Sequence, residues 1–251
     1  MLIRPDGDDV VAIGQASHAW LSGQLARAWG NDRFEVPQPR EEVCLAAEQH
    51  DVGMAEWDLA PRLHPTEGRP LSFMEMELEE HLRLWSAAPA KLLSQSAYAA
   101  LLVSMHGTAL YELRNLDRLP PAEAGAVRAY LARERAWQER LLAVLGADRE
   151  QARRNQRLLF AWDGLSLALC LRWDGYVADD VPATEAEERA VRLEPLVDGL
   201  FTLDPWPLAA DEVTVRCAGR RLTGRYATEA ELHAALEEAP AVALSFTLVP
   251  P

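Results

Sequence analysis

The chain has 251 residues, 49 % hydrophobic and 25 % charged, a globular composition with length enough for one large domain or a domain plus an appendage. Its formal net charge of −14 excludes a nucleic-acid backbone or an anionic membrane surface as the main partner. No uninterrupted apolar run approaches a membrane span, and "MLIRPDGDDVV" lacks the apolar stretch of a signal peptide. Cys44, Cys170 and Cys217 are far apart and in no CxxC pattern, so they read as small buried residues in a reducing cytoplasm.

In chain order, Leu2-Ile3 and Val10–Ile13 flank a turn at Pro5-Asp6-Gly7 and predict short N-terminal strands. Helical periodicity begins at Ser17 and stops at Gly30. "PREEVCLAAEQHD" predicts a second helix, with Pro39 at its start and acidic residues in its first turn. Residues 52–72 hold Pro61, Pro65, Gly68 and Pro70 and predict a long loop, a kind of segment that is often functional. Helices follow at about 73–86, 90–115, 121–146 and 149–172 by their apolar spacing. From residue 178 to 212 the chain reads as a connector, and after it "EVTVRCA", "RRLTGRY", a short helix capped at Thr228 and "VALSFTLV" form a ββαβ tail. The expected fold is therefore mainly α: a helical domain over 1–177, and over 178–251 a connector and a small α/β tail packing on it. The N-terminal strands could join the tail's sheet.

Of six histidines, His18, His50, His81 and His106 sit on apolar faces of these helices. His18 shares its face with Leu21 and Leu25; His106 lies between Leu102 and Leu110. Asp51 follows His50 directly, and Asp163 falls within the most hydrophobic helix, "LLFAWDGLSLALCL". An ionised carboxylate there needs a cation, a proton or several donors. Taken singly, each such residue is more often a satisfied core group than a ligand. If the faces share one core, their polar heads converge, and imidazoles with carboxylates in an apolar shell suit Fe, Mn, Zn or Ni. Six ligands exceed the need of one open catalytic ion, so two divalent transition metals is the natural count. His64 and His233 fall outside this set.

The order His18, His50-Asp51, His81, His106, Asp163 resembles the dinuclear branch of the HD-domain superfamily, all-α metalloproteins with ligands running H…HD…H…H…D. More locally, "IGQASHAWLSGQLARAWG", "AAEQHDVGMAEWD" and "GRPLSF" resemble a bacterial family catalogued as domain of unknown function 3891, over the whole chain. The superfamily resemblance implies an HD-like bundle with His18, His50, Asp51 and Asp163 on one metal. Asp51 would bridge to a second, held also by His81 and His106. It further implies a metal-activated hydroxide attacking a small phosphate ester or nucleotide; beyond the HD pair, Glu56 and Asp58 read as proton shuttles or simply as part of a loop. Candidate phosphate clamps are Arg62, Arg69, Lys91, Arg153, Arg154 and Arg157, whose bland reading is solvated surface charge. Where many of these phosphohydrolases carry lysine after HD-x-G, this chain has Met54, which weakens phosphate as the substrate. Two other readings stand beside hydrolysis: a mixed-valent di-iron oxygenase with the same ligand order, and a non-catalytic protein stabilised by a His/Asp cluster. The expected partner is a small molecule; oligomeric state is not set by the sequence.

Overall fold

Val215, Cys217 and Gly219 alternate inward along β6 (Val213–Leu222), and Leu244, Phe246 and Leu248 do the same along β7 (Ala241–Val249). That period of two places one apolar face of each strand toward the helices. The computed structural model, which describes residues 1–251, pairs these strands at the centre of a curled seven-stranded sheet. The other strands are β1 (Leu2–Asp6), β2 (Asp9–Ile13), β3 (Tyr176–Pro182), β4 (Glu188–Val197) and β5 (Leu200–Asp204). The order is β1-β2-β6-β7-β5-β4-β3, antiparallel throughout except for the β5–β7 pair.

The helices are α1 (Gln15–Ala28), α2 (Arg40–Gln49), α3 (Ala55–Leu59), α4 (Leu78–Leu92), α5 (Ala97–Glu112), α6 (Pro121–Leu145), α7 (Arg149–Leu171) and α8 (Glu229–Glu238). Their ends follow local chemistry. The Asp148 side chain accepts the Gln151 N–H at the start of α7, and Gly146 ends α6 in the left-handed conformation that glycine adopts without strain. α1 packs on α2 and α7, α5 packs on α2, α4, α6 and α7, and the sheet curls over α1 and α7 through β6, β3 and β1.

The chain is 51 % helix and 22 % strand, so it is an α/β fold and not the mainly α bundle that the sequence suggests. The correction lies largely in the stretch expected to be a connector, which contains β4 and β5 and most of β3. Only Val191 and Leu193 are buried among the ten residues of β4. A strand whose buried positions are so few carries almost no alternation signal, and its partners lie elsewhere in the chain. The boundary between the two central helices also moves. Pro89 lies inside α4, and the break comes at Leu93–Gln95, where Ser96 caps α5 by accepting the Ala99 N–H.

Candidate metal centre

His18 lies on α1, His50 follows the last turn of α2, Asp51 comes next, His106 lies on α5 and Asp163 on α7. All five are buried. One ligating atom from each of His18, His50 and Asp163 falls within 4.8 Å of the others, so this group could hold a metal ion.

The protein orients these side chains before any ion is considered. His50 Nδ1–H donates to the Ala47 carbonyl at 2.9 Å, which leaves Nε2 facing inward. Nε2 has no hydrogen-bond partner although the residue is only 1 % exposed. It lies 3.3 Å from Asp163 Oδ1 and 3.4 Å from Asp51 Oδ2. Charge-assisted hydrogen bonds run at about 2.7–2.9 Å. Two ligands held at about 2.0–2.1 Å from one tetrahedral metal sit roughly 3.3–3.4 Å apart, which matches the observed spacing. His18 Nδ1–H donates to Ser166 Oγ at 2.8 Å, and Ser166 passes its own hydrogen to the Asp163 carbonyl. The other nitrogen of His18, Nε2, lies 2.5 Å from Asp51 Oδ2. His106 Nε2 is 3.5 Å from Asp163 Oδ2, and its Nδ1 is buried without a partner. The orienting partners behind His18 and His50 are what a metal centre needs to hold its ligands in place, and His106 has none.

The electrostatics agree with the geometry. Burial opposes charging His50, but the Asp51 and Asp163 carboxylates outweigh it and raise its pKa well above the ordinary value. Burial likewise opposes ionising Asp51 and Asp163, yet His50, with His18 and His106, holds both carboxyls far below the usual range. In the metal-free chain a proton on His50 therefore sits among the carboxylates. That raised pKa contributes stability present below the ordinary histidine value and lost as pH rises through the folded value. The two carboxylates contribute stability present above the ordinary carboxylate range and lost as pH falls. Because metal and proton compete for His50 Nε2, the rise in Tm on adding Zn²⁺ is expected to be larger at about pH 8 than at about pH 6. Thermal unfolding with and without the ion checks this, and equal gains at both pH values would show that no such proton is displaced.

A cavity of about 310 Å³ is lined by His18, Asp51, His106 and Asp163, and not by His50. Its walls are largely apolar, with Met54, Met74, Met76, Phe73 and Trp85 among them. His81 lines the same cavity but stands apart from the cluster, with both nitrogens engaged. Trp85 Nε1–H, which can only donate, reaches His81 Nε2 at 3.2 Å. A neutral His81 then carries its hydrogen on Nδ1 and donates it to the Tyr111 hydroxyl. Burial first, then the Arg114 charge, lowers the His81 pKa to about 4, so the ring is neutral near pH 7.

The other expected site residues lie elsewhere. Glu56 is exposed and paired with Lys91 at 3.0 Å; Asp58 holds the Met1 amino group at 2.7 Å and accepts the Gln15 N–H. Arg62 lies near Glu229, Arg69 binds Glu67 and Glu75, Arg153 binds Glu150, Arg154 binds Glu35 and Arg157 binds Glu188. None of these groups lines the cavity. Glu56 and Asp58, expected as proton shuttles, and Arg62, Arg69, Lys91 and Arg157, expected as clamps, are thus placed in ion pairs outside the cavity wall.

The cation at the cavity is Arg114, just beyond α5, whose guanidinium lies 4.8 Å from the centre of the Tyr111 ring and has no carboxylate partner. Gln15 also lines the cavity, with a buried and unpartnered Oε1. Sequence reasoning missed both, along with Ser166. Gln15 and Ser166 each stand three residues from a proposed ligand on the same helix face, a signal that was available. Arg114 lies beyond the helix end and has no periodic signal.

No helix is long and apolar enough to cross a membrane. No curated protein and no solved structure matches the chain. Residues 1–224 do match one family, and the chain belongs to it: the protein of unknown function (DUF3891) family.

Proposed function

We propose that the protein is a metal-dependent hydrolase of a small anionic ester, with a phosphate ester or nucleotide as the substrate class. The observation that carries this reading is the buried, unpartnered His50 Nε2 set 3.3–3.4 Å from Asp163 and Asp51, two carboxylates that line a cavity. His18, His50, Asp51 and Asp163 would hold one divalent transition metal, with His106 beside them. When bound, such an ion supplies a Lewis acid and a water activated near neutral pH. The chain's own residues would do the rest. Arg114 binds the anionic group of the substrate, the methionine and aromatic walls exclude water, and Gln15 offers an acceptor to a substrate or water hydrogen. Arg114 occupies the role that the missing lysine at Met54 leaves open.

The HD-type resemblance supports the same reading through the order of the ligands. A second ion on His81 and His106, the arrangement a di-iron oxygenase requires, would need Trp85 to release His81 Nε2. The test is release of nitrophenol from generic phosphate mono- and diesters by protein stripped with chelator and reloaded with Mn²⁺ or Zn²⁺. Turnover restored by metal supports hydrolysis; bound metal with dioxygen consumption and no ester cleavage overturns it. Within the hydrolase reading, Arg114→Ala is expected to raise KM roughly 10- to 100-fold with kcat little changed, since a hydrogen bond to a charged group contributes about 1.5–3 kcal/mol. An unchanged KM would remove Arg114 from substrate binding.

A further inference from the structure

A second cavity, of about 520 Å³, opens where β1, β4, β5 and β7 meet the end of α7, and it shares no residue with the metal centre. Arg4 lies in its wall. It stands on the same face of β1 as Leu2 and is only 5 % exposed. No carboxylate pairs with it, no protein acceptor bonds its guanidinium, and its Nε is buried without a partner. A buried cation with no paired carboxylate is costly, and Asp6, which favours its charge, is held by Arg221. Arg172, across the same cavity, is taken up by Asp198 at 3.1 Å. Burial and then the Arg172 charge lower the Arg4 pKa, as expected where a cation lacks compensation.

The remaining wall is mainly apolar, with Trp173, Leu196, Phe201 and Phe246 contributing. A fork of donors without a protein acceptor, its Nε buried, set among hydrocarbon and aromatic surface, is complementary to a carboxylate carrying an apolar tail. The charges on the rim limit the ligand further. Asp174 and Asp198 line the cavity with Arg4 and Arg172, so its charged side chains cancel, Arg4 lacks only a direct acceptor, and the whole chain carries −14. A singly charged carboxylate fits this balance better than a phosphate dianion. The volume lies within the range usual for small-molecule sites. We propose that this cavity binds a small apolar monocarboxylate, with its carboxylate on Arg4 and its tail against Phe201, Phe246 and Trp173. The site goes beyond the proposed hydrolase reading and does not depend on it.

The test is calorimetric titration of the full chain with sodium octanoate, alongside octylamine as a cationic probe of equal length. Saturable octanoate binding is expected, with octylamine at least about tenfold weaker. Arg4→Met is expected to lose octanoate binding while its Tm stays level or rises, because the variant removes an uncompensated buried charge. A fall in Tm with octanoate binding retained would show instead that Arg4 serves the end of α7 as a structural cation. Should Arg4→Met not fold, Arg4→Lys keeps the charge and loses the planar fork, and about tenfold weaker binding is expected. Arg114→Ala, in the other cavity, is expected to bind octanoate as the parent does. The proposal is overturned if octanoate does not bind, if octylamine binds equally well, if both Arg4 variants bind octanoate like the parent, or if only Arg114→Ala loses it.

Discussion

Purified without chelators or a metal column, the protein is expected to carry one divalent transition metal per chain, and Asp163→Asn to carry none. Asp163 Oδ1 faces His50 Nε2 at 3.3 Å and its Oδ2 faces His106 Nε2 at 3.5 Å, so one carboxylate joins two of the imidazoles. At free metal about 100-fold above Kd, binding only to the folded state adds about 2.7 kcal/mol. For a chain of this size that raises Tm by roughly 5–10 °C. The gain should vanish in Asp163→Asn. The variant should also unfold more easily without metal, by roughly 3–5 kcal/mol, because the His50 charge loses one of its two counter-ions. Elemental analysis with thermal unfolding measures both effects. Two ions per chain would restore the dinuclear arrangement implied by the HD-type resemblance, and an equal Tm gain in the variant would move the metal elsewhere.

Gly53→Ala is expected to produce the largest loss from a single methyl group. A Cβ at Gly53 would stand 2.4 Å from the Leu84 carbonyl oxygen and 2.9 Å from Ala88 Cβ. The first of these is α4 backbone, which cannot rotate away as a side chain would. The turn after Asp51 must then separate from α4, with an overpacking cost of roughly 1–3 kcal/mol or more. Because His50 and Asp51 stand immediately before that turn, metal affinity should fall with stability. Denaturant unfolding and metal titration of the variant report the two effects. Unchanged stability would mean that the turn can shift freely. The Val52-Gly53 pair after HD is thus explained by close approach to a neighbouring helix.

Helical periodicity made the candidate centre partly readable. His18, His50 and His106 fall on apolar faces, Asp163 falls in the most hydrophobic helix, and the structure brings three of these four within one ion's reach. His81 fits the same periodic pattern, but its environment is set by Trp85 and Tyr111, which differ from it in contact and not in spacing. The charged residues expected around the cavity were chosen by nearness along the chain. Arg62, Lys91, Arg154 and Arg157 face carboxylates that only folding brings close, such as Glu35 and Glu188, whereas Arg69 and Arg153 pair with neighbours along the chain.

The sequence by itself determined most of the long helices and the residues that bury imidazole and carboxylate, because these depend on spacing within one turn or one helix, but not α3, which lies in the expected loop. The sequence also set the strong acidity of the chain, a formal net charge of −14. Only the tertiary structure decided the sheet, since the β1–β2 hairpin pairs with β6 some 200 residues further on, and the largely exposed β4 shows little pattern of its own. It also decided that Tyr176, at the edge of the supposed connector, seats its hydroxyl against Gly164, directly beside Asp163, in space that a Cβ would fill. That Arg114, and none of the six cations considered from the sequence, lines the cavity was tertiary as well. Pairings between distant segments depend on which surfaces meet, and no local period records that.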